Sequence, residues 1–148
     1  MQITSRKLKD ARQTGRLMHR MVELYFFDMA PYASMSYPEF YDFMKNIPFN
    51  PDPENIELLK RPYYTVKRIG PGGDCDDKSI AVASWAKIAG IPYRFVGVGN
   101  KISKNEKILL SHVYPELYIG GKWIPFDTTY SFNILGQTLP NYDRRELL

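Results

Sequence analysis

The segment from Cys75 to Ala89 constrains the fold of this chain more than any other. Its run IAVASWAKIA is apolar almost all round a helix, and such a helix is buried between other elements. Asp74 is a suitable N-cap, whereas Gly90 and Pro92 end the helix. The sequence therefore predicts a central, buried helix with other elements packed on it.

Strand-forming residues follow this helix. The Gly-Gly pair at 120–121 separates two apolar runs, which is a strong signal for a β-hairpin. The polar segment Asn100–Lys107 is predicted to be a loop. The predicted strands are Tyr93–Gly99, Ile108–Ile119 and Lys122–Tyr130. A helix followed by an antiparallel meander predicts an α+β fold.

The residues before the helix are predicted to form a helical arm. Apolar residues spaced by three and four predict a helix over 6–27. Ser36 and Glu39 have the spacing of a capping box, which predicts the start of a second helix. Prolines make 46–62 a loop, with room for one helical turn at Glu54–Lys60.

With 148 residues, of which 44% are hydrophobic, the chain is long enough for one domain with a core of its own. We predict a single domain over 1–148, with a helical arm over 1–60, a core over 63–135 and an irregular segment after Tyr130. One cysteine cannot form an internal disulfide, which favours a cytoplasmic location. No apolar run approaches the roughly 20 residues that span a bilayer.

The positive charge of the chain is concentrated at its start. The net charge is +4, yet residues 1–22 hold six arginines and lysines against Asp10. A basic helix can contact nucleic acid, an anionic partner or a membrane surface, or it can present a solvated face. The solvated face is the simpler interpretation, because no nucleic-acid motif accompanies the charge.

Cys75 and His112 are candidates for nucleophilic catalysis. If the Gly-Gly pair forms a two-residue turn, Tyr114 pairs with Asp127, and His112 lies diagonally from Asp127 on one face of the hairpin. An imidazole N–H can reach a carboxylate across that diagonal. A shift of one residue would separate the two, and Pro115, which lacks an N–H, predicts a local irregularity in the ladder.

The position of Cys75 in the first turn of a helix favours its thiolate through the helix dipole. An imidazolium at His112 would favour the thiolate further, and Asp127 would orient the imidazole. The backbone N–H of Cys75 can bind an oxyanion. The aspartates at 74, 76 and 77 act in the opposite direction, and the sequence leaves that balance open. The alternative is that Cys75 is a small buried hydrophobe.

Two stretches, GGDCDDKSIAVASWAKIAGIPYRFVGVG and SHVYPELYIGGKWIPFDTT, follow each other within residues 72–130. A cysteine opens a buried helix that ends in GIP, a histidine opens a strand, and the hairpin partner contains an aspartate. This order resembles the core of the transglutaminase-like superfamily. The resemblance implies a papain-like fold in which Cys75, His112 and Asp127 are catalytic. That superfamily includes peptidases, cross-linking transferases, amidases and members that have lost activity.

We therefore predict a cysteine peptidase or amidase that hydrolyses an amide or peptide bond of a peptide or protein substrate. Protein-glutamine transamidation stays open, as does a non-catalytic interaction module that uses the basic N-terminal helix. Tyr64 is a weaker candidate for an oxyanion donor, and Trp123 and Tyr114 for the substrate cleft. No cofactor or metal is predicted, since the aspartates around Cys75 lack the spacing of a calcium loop.

Overall fold

The computed structural model describes residues 2–6, 11–53, 56–67, 70, 72–101, 108–137, 142 and 144–148. The helices are α1 (Ala11–Tyr25), α2 (Tyr37–Lys45), α3 (Pro62–Val66) and α4 (Cys75–Ala89), with a 3₁₀ helix over Phe26–Tyr32. The strands are β1 (Gln2–Arg6), β2 (Ile56–Lys60), β3 (Tyr93–Lys101), β4 (Ile108–Ile119), β5 (Lys122–Pro125) and β6 (Arg144–Leu147).

The helix α4 has the bounds that the sequence predicts. Asp74 caps it by accepting the N–H of Asp77 at 3.3 Å, and Asp77 accepts the N–H of Asp74 in return at 3.2 Å. Gly90 ends the helix in the left-handed conformation, with φ of 73°. Nearly every residue of the helix from Asp76 to Ala86 is buried. The prediction of a central buried helix is confirmed.

The main sheet is antiparallel, with the strand order β5-β4-β3-β6. Leu117 pairs with Ile124 and Ile119 with Lys122, so the hairpin has the predicted register around the Gly-Gly turn. Helices packed on an antiparallel sheet confirm the α+β class. Strand β5 ends at Pro125, short of the predicted Tyr130.

Pro115 gives a physical reason for the early end of β5. The N–H of Phe126 donates to the carbonyl of Pro115 at 2.9 Å, but Pro115 has no N–H to return the bond. The ladder therefore stops there without a shift of register between β4 and β5. The irregularity that the structure does show lies between Val98 and Gly99, on the other side of β4.

Several predictions for the rest of the chain are wrong. The first helix begins at Ala11 rather than at residue 6, and residues 56–60 form strand β2, paired with β1, rather than a helical turn. Strand β6 lies in the segment predicted to be irregular. Each of these strands pairs with a partner distant in the sequence, so no local pattern indicates it. Glu54 and most of the predicted loop Asn100–Lys107 lie outside the described residues.

Two apolar clusters of the interior include residues of α4. The first joins α2 to α4 and the hairpin through Met29, Phe40, Tyr41, Met44, Val66, Ala81, Val82, Trp85, Ala86, Leu117 and Phe126. The second joins α1 to α4 and the sheet through Met18, Met21, Val22, Leu59, Ile80, Ala83, Phe95 and Val113. Side chains from the predicted arm thus pack directly on the central helix.

Candidate active site

The chain approaches Cys75 through two glycines that pack tightly against residues 48–50. Gly72 has φ of 76°, and a Cβ atom there would lie 2.0 Å from the carbonyl oxygen of Pro48. Gly73 donates its N–H to that same carbonyl at 3.2 Å and accepts the N–H of Asn50 at 3.0 Å. The backbone contacts fix the first turn of α4 and hence the position of Cys75.

The sulfur of Cys75 lies at the edge of strand β4. It accepts a hydrogen bond from the backbone N–H of Val113, the residue next to His112. This N–H points to the side of β4 that β5 would have occupied had it continued past Pro125. The end of the ladder therefore provides the place where the thiol contacts the sheet. A direct approach of the sulfur to the His112 ring stays a prediction.

The environment of the thiol opposes its ionisation. Burial raises the pKa of Cys75 well above its ordinary value, and the charges of Asp76 and Asp74 raise it further. The thiol donates to a carboxylate oxygen of Asp76 at 3.5 Å. The Val113 N–H acts in the opposite direction. In the resting protein we therefore expect a protonated thiol.

His112 and Asp127 form a buried pair on the same face of the hairpin. The distance from Nε2 of His112 to Oδ2 of Asp127 is 2.7 Å, and both side chains are almost fully buried. Although burial opposes it, the hydrogen bond and charge of His112 hold the pKa of Asp127 below its ordinary value, assisted by Thr129. With Nε2 facing the carboxylate, Nδ1 is the ring nitrogen left to exchange a proton with another group.

Three tyrosine rings surround the imidazole. The rings of Tyr114, Tyr130 and Tyr142 stack beside that of His112 with centroid distances of 6.2, 6.4 and 6.4 Å. Burial raises the pKa of Tyr130 and of Tyr142, and the charge of Cys75 contributes to both shifts. The three rings therefore border the imidazole. Tyr142 was missed by the sequence reasoning because it follows the hairpin in a polar segment.

Three further residues contact the Asp127 segment, and none of them was assigned to the site from the sequence. Tyr41 donates its hydroxyl to the carbonyl of Asp127 at 2.8 Å, and Asn133 donates to the same carbonyl at 3.2 Å. Lys78 binds the carbonyls of Thr128 and Thr129. Of these, Lys78 alone has a visible anomaly in the sequence, since it is a cation in a helix predicted to be buried on most faces.

The weaker candidates occupy different places. Tyr114 lies against His112, as described above. Trp123 pairs with Tyr118, six positions along β4 from His112, which corresponds to about 20 Å. It stacks on Arg94 in a cavity of about 500 Å³, and the structure does not bring it to the imidazole. Tyr64 lies in α3 with its ring against that of Tyr63, and its role as an oxyanion donor stays a prediction.

Asp52, Asp74 and Asp77 could hold a cation, because one carboxylate oxygen from each lies within 4.8 Å of the others. Burial and the neighbouring carboxylates raise the pKa of Asp74 to about 9, and burial raises that of Asp77 to about 6. Lys60 donates its backbone N–H to Asp77 at 2.8 Å, and its ammonium charge opposes the shift. Asp77 is thus held in this group by the backbone N–H groups of Lys60 and Asp74.

Two arginines and a histidine of the basic N-terminal segment differ in their surroundings. Arg12 and Arg16 are exposed on α1, as expected for a solvated face, whereas Lys7 and Lys9 lie outside the described residues. His19 is not solvated as its basic neighbours suggest: its ring is within 3.0 Å of the Leu148 carbonyl and 3.3 Å of the Tyr93 hydroxyl. In the described residues, no helix is long and apolar enough to cross a membrane.

Comparison with known proteins gives the family. The family model described as the transglutaminase-like superfamily matches residues 39–128, more than half of the chain. The chain belongs to the transglutaminase-like superfamily. The matched range begins inside α2 and contains Cys75, His112 and Asp127. The resemblance inferred from the sequence is confirmed, and the match extends further toward the N-terminus than residue 72.

One solved structure that matches is a "Putative Cysteine Protease" from Cytophaga hutchinsonii, with 19% sequence identity and a TM-score of 0.47. The alignment covers 76% of this chain and 37% of that chain. The chain therefore spans little more than a third of the length of that protein. No curated protein matches it.

Proposed function

We propose that this protein is a cysteine hydrolase that cleaves an amide or peptide bond through a thioester on Cys75. The observation that supports this best is the 2.7 Å hydrogen bond between His112 and Asp127. His112 is the neighbour of Val113, whose backbone N–H donates to the sulfur of Cys75. Membership of the transglutaminase-like superfamily is consistent with a thiol enzyme.

The proposed reaction uses His112 alternately as a base and as an acid. Nδ1 takes the thiol proton as the sulfur attacks the carbonyl carbon, which forms the S–C bond of a tetrahedral intermediate. The imidazolium then protonates the amine as the C–N bond breaks and leaves a thioester. The neutral imidazole next takes a proton from water, which attacks the thioester. The C–S bond then breaks, and the imidazolium returns the proton to the sulfur, which releases the acid and the thiol. Asp127 holds the ring throughout, and the Cys75 N–H at the helix start binds the oxyanion.

An extended peptide is the proposed substrate class. Phe49 and Phe132 are exposed, and their rings both lie 5.1 Å from that of Tyr130. This aromatic strip leads from the surface to the imidazole, because Tyr130 stacks on His112. Apolar surface beside a partly buried nucleophile suits the side chains of a peptide. A reducing, cytoplasmic compartment is part of this proposal, since the thiol must stay free.

The test is to incubate the protein with a glutamine-containing peptide, with and without an excess of methylamine, and to measure the products by mass spectrometry. Free acid as the main product, lost in Cys75→Ala, supports hydrolysis. If the methylamide forms faster than the acid, the reaction is transamidation and the proposal of hydrolysis is wrong. Intact mass should show the acyl-protein adduct on Cys75 in either case.

A non-catalytic module is the second candidate, favoured by the raised pKa of Cys75 and by the exposed Arg12, Arg16 and Arg20. Such a module would bind an anionic partner through α1. Binding to nucleic acid or to anionic vesicles that weakens with salt and is lost on replacing the three arginines would support it. The absence of any Cys75-dependent product would strengthen it further.

A further inference from the structure

Lys78 is a buried cation that the proposed reaction does not use. It lies one turn after Cys75 on α4 and is 1% exposed. Its Nζ atom lies 2.6 Å from the carbonyl oxygen of Ile47, 2.9 Å from that of Thr128 and 3.1 Å from that of Thr129. An ammonium group has three N–H donors, so each is matched by one carbonyl.

Only the charged form of Lys78 satisfies this arrangement. A neutral amine has two N–H donors and a lone pair, and the lone pair would face a carbonyl oxygen. Burial lowers the pKa of Lys78 to about 8, while the charge of Asp127 opposes that shift. The three carbonyls thus supply the partners that a buried charge requires.

The acceptors come from two separate parts of the chain. Ile47 follows α2, whereas Thr128 and Thr129 directly follow Asp127. The other polar contacts described for Asp127 come from Tyr41 on α2, from His112 on β4, and from Thr129 and Asn133 nearby in the sequence. Lys78 therefore provides the polar link from the thiol-bearing helix to the Asp127 segment.

We propose that Lys78 is a positioning residue that fixes the Asp127 segment on α4 and so sets the imidazole of His112 against the thiol. This proposal rests on the function proposed above. Lys78 touches neither the thiol nor the imidazole in the described contacts, and it acts through the backbone after Asp127. Its charge also favours the ionised carboxylate that accepts the His112 N–H.

The test compares Lys78→Met, Lys78→Arg and Lys87→Met with the full wild-type chain. Lys87 is the matched control, because it is a half-exposed lysine on the same helix, paired with Glu23 at 3.4 Å. With p-nitrophenyl acetate as the probe, Cys75 is acylated as p-nitrophenolate leaves, and water then releases acetate. Lys78→Met should lower the turnover rate by about 100-fold, with the KM within twofold, and Lys78→Arg should restore part of it.

A second readout does not depend on activity. The ring N–H of His112, held in a short bond by a carboxylate, should give a downfield proton resonance in the wild type and in Lys87→Met. It should be broadened or lost in Lys78→Met. A wild-type resonance in Lys78→Met, with unchanged turnover, would overturn the proposal for Lys78 alone. Absence of Cys75-dependent turnover in the wild type would instead overturn the proposed function, and the resonance would still test Lys78.

If Lys78→Met does not fold, the wild-type protein provides the decisive measurement. Scalar couplings across hydrogen bonds should connect the Lys78 side-chain nitrogen to the carbonyl carbons of Thr128 and Thr129. Couplings to both carbons would support the link between Lys78 and the Asp127 segment. A turnover rate for folded Lys78→Arg that is below that of the wild type but still measurable would support it further. Missing couplings in a spectrum that resolves the Lys78 ammonium would overturn it.

Discussion

At the scale of single residues, Cys75 experiences opposing electrostatic effects. The first-turn position and the Val113 N–H favour the thiolate, while burial, Asp76 and Asp74 oppose it. The opposing effects are the larger, so the pKa of Cys75 lies above its ordinary value. In the proposed reaction the thiol therefore depends on the neighbouring base to become a nucleophile, in contrast to a thiol that is ionised at rest.

Asp76→Asn should make Cys75 more reactive. Removing the carboxylate charge lowers the thiol pKa, so the pH curve for alkylation by iodoacetamide shifts to lower pH. At pH 7.5 the rate should rise roughly three- to tenfold, measured by intact mass. Asp42→Asn, at an acid whose side chain is 69% exposed, is the control and should leave the rate unchanged. An unchanged rate in Asp76→Asn would show that Asp76 does not oppose the thiolate.

Asp74→Asn should stabilise the protein at alkaline pH. The pKa of Asp74 is raised to about 9 from 3.8, so the folded state keeps a proton that the unfolded state has lost. The free energy of unfolding therefore falls as the pH rises between about 4 and 9. Asparagine keeps the N-cap but cannot ionise.

Urea unfolding at several pH values would measure this effect. At pH 8 the free energy of unfolding of Asp74→Asn should exceed that of the wild type by about 1 kcal/mol or more. The two proteins should converge near pH 4. A variant that is less stable than the wild type at pH 8 would mean that the proton on Asp74 is not the dominant effect.

At the scale of elements, the start of α4 depends on Gly72. Both its backbone conformation and the lack of space for a Cβ atom require glycine at this position. Gly72→Ala combines a left-handed backbone with a Cβ placed 2.0 Å from the Pro48 carbonyl oxygen. Gly121 has φ of 84° with nothing within 4 Å of its Cβ position, so Gly121→Ala isolates the backbone strain alone. That strain is about 1–2 kcal/mol.

We expect Gly72→Ala to lower the free energy of unfolding by at least about 2 kcal/mol more than Gly121→Ala does. Chemical denaturation would give both values. The displaced helix start should also change the alkylation rate of Cys75, which Gly121→Ala should not. Equal losses in the two variants would indicate that residues 48–50 move aside at little cost.

The elements that the sequence predicts well are those with local signals. The helix α4 has a cap, a stop and an apolar run, and the hairpin has a two-glycine turn that fixes its register and hence the His112–Asp127 pair. Strands β1, β2 and β6 have no such signals, because strand pairing is long-range. Tyr142 and Lys78 could not be assigned for the same reason: their roles come from backbone atoms and rings brought close by the fold.

At the scale of the whole molecule, the N-terminal helices and the core are expected to unfold together. Met21 of α1 is fully buried with Ile80 and Ala83 of α4. Met21→Ala should cost about 2–5 kcal/mol, and Leu24→Ala, at a 53% exposed position of the same helix, should cost much less.

Two probes would show whether the chain is one cooperative unit. Circular dichroism follows the helices, and fluorescence in a Trp123→Phe background follows Trp85 in the other apolar cluster. Coincident transitions, both shifted by Met21→Ala, are expected of a single domain. A Trp85 transition that Met21→Ala leaves in place would separate α1 from the rest of the core, because Trp85 packs on Phe40 of α2.

The contact between the Cys75 sulfur and the Val113 N–H also determines when the site appears during folding. The helix α4 and the β4–β5 hairpin can each form from neighbouring residues, but this contact closes the longer loop between them, a later event. Because Cys75 is the only thiol in the chain, its protection from a brief pulse of alkylating reagent reports when its apolar surroundings, which include Val113, assemble. The time at which Cys75 becomes protected therefore measures when α4 docks on the sheet.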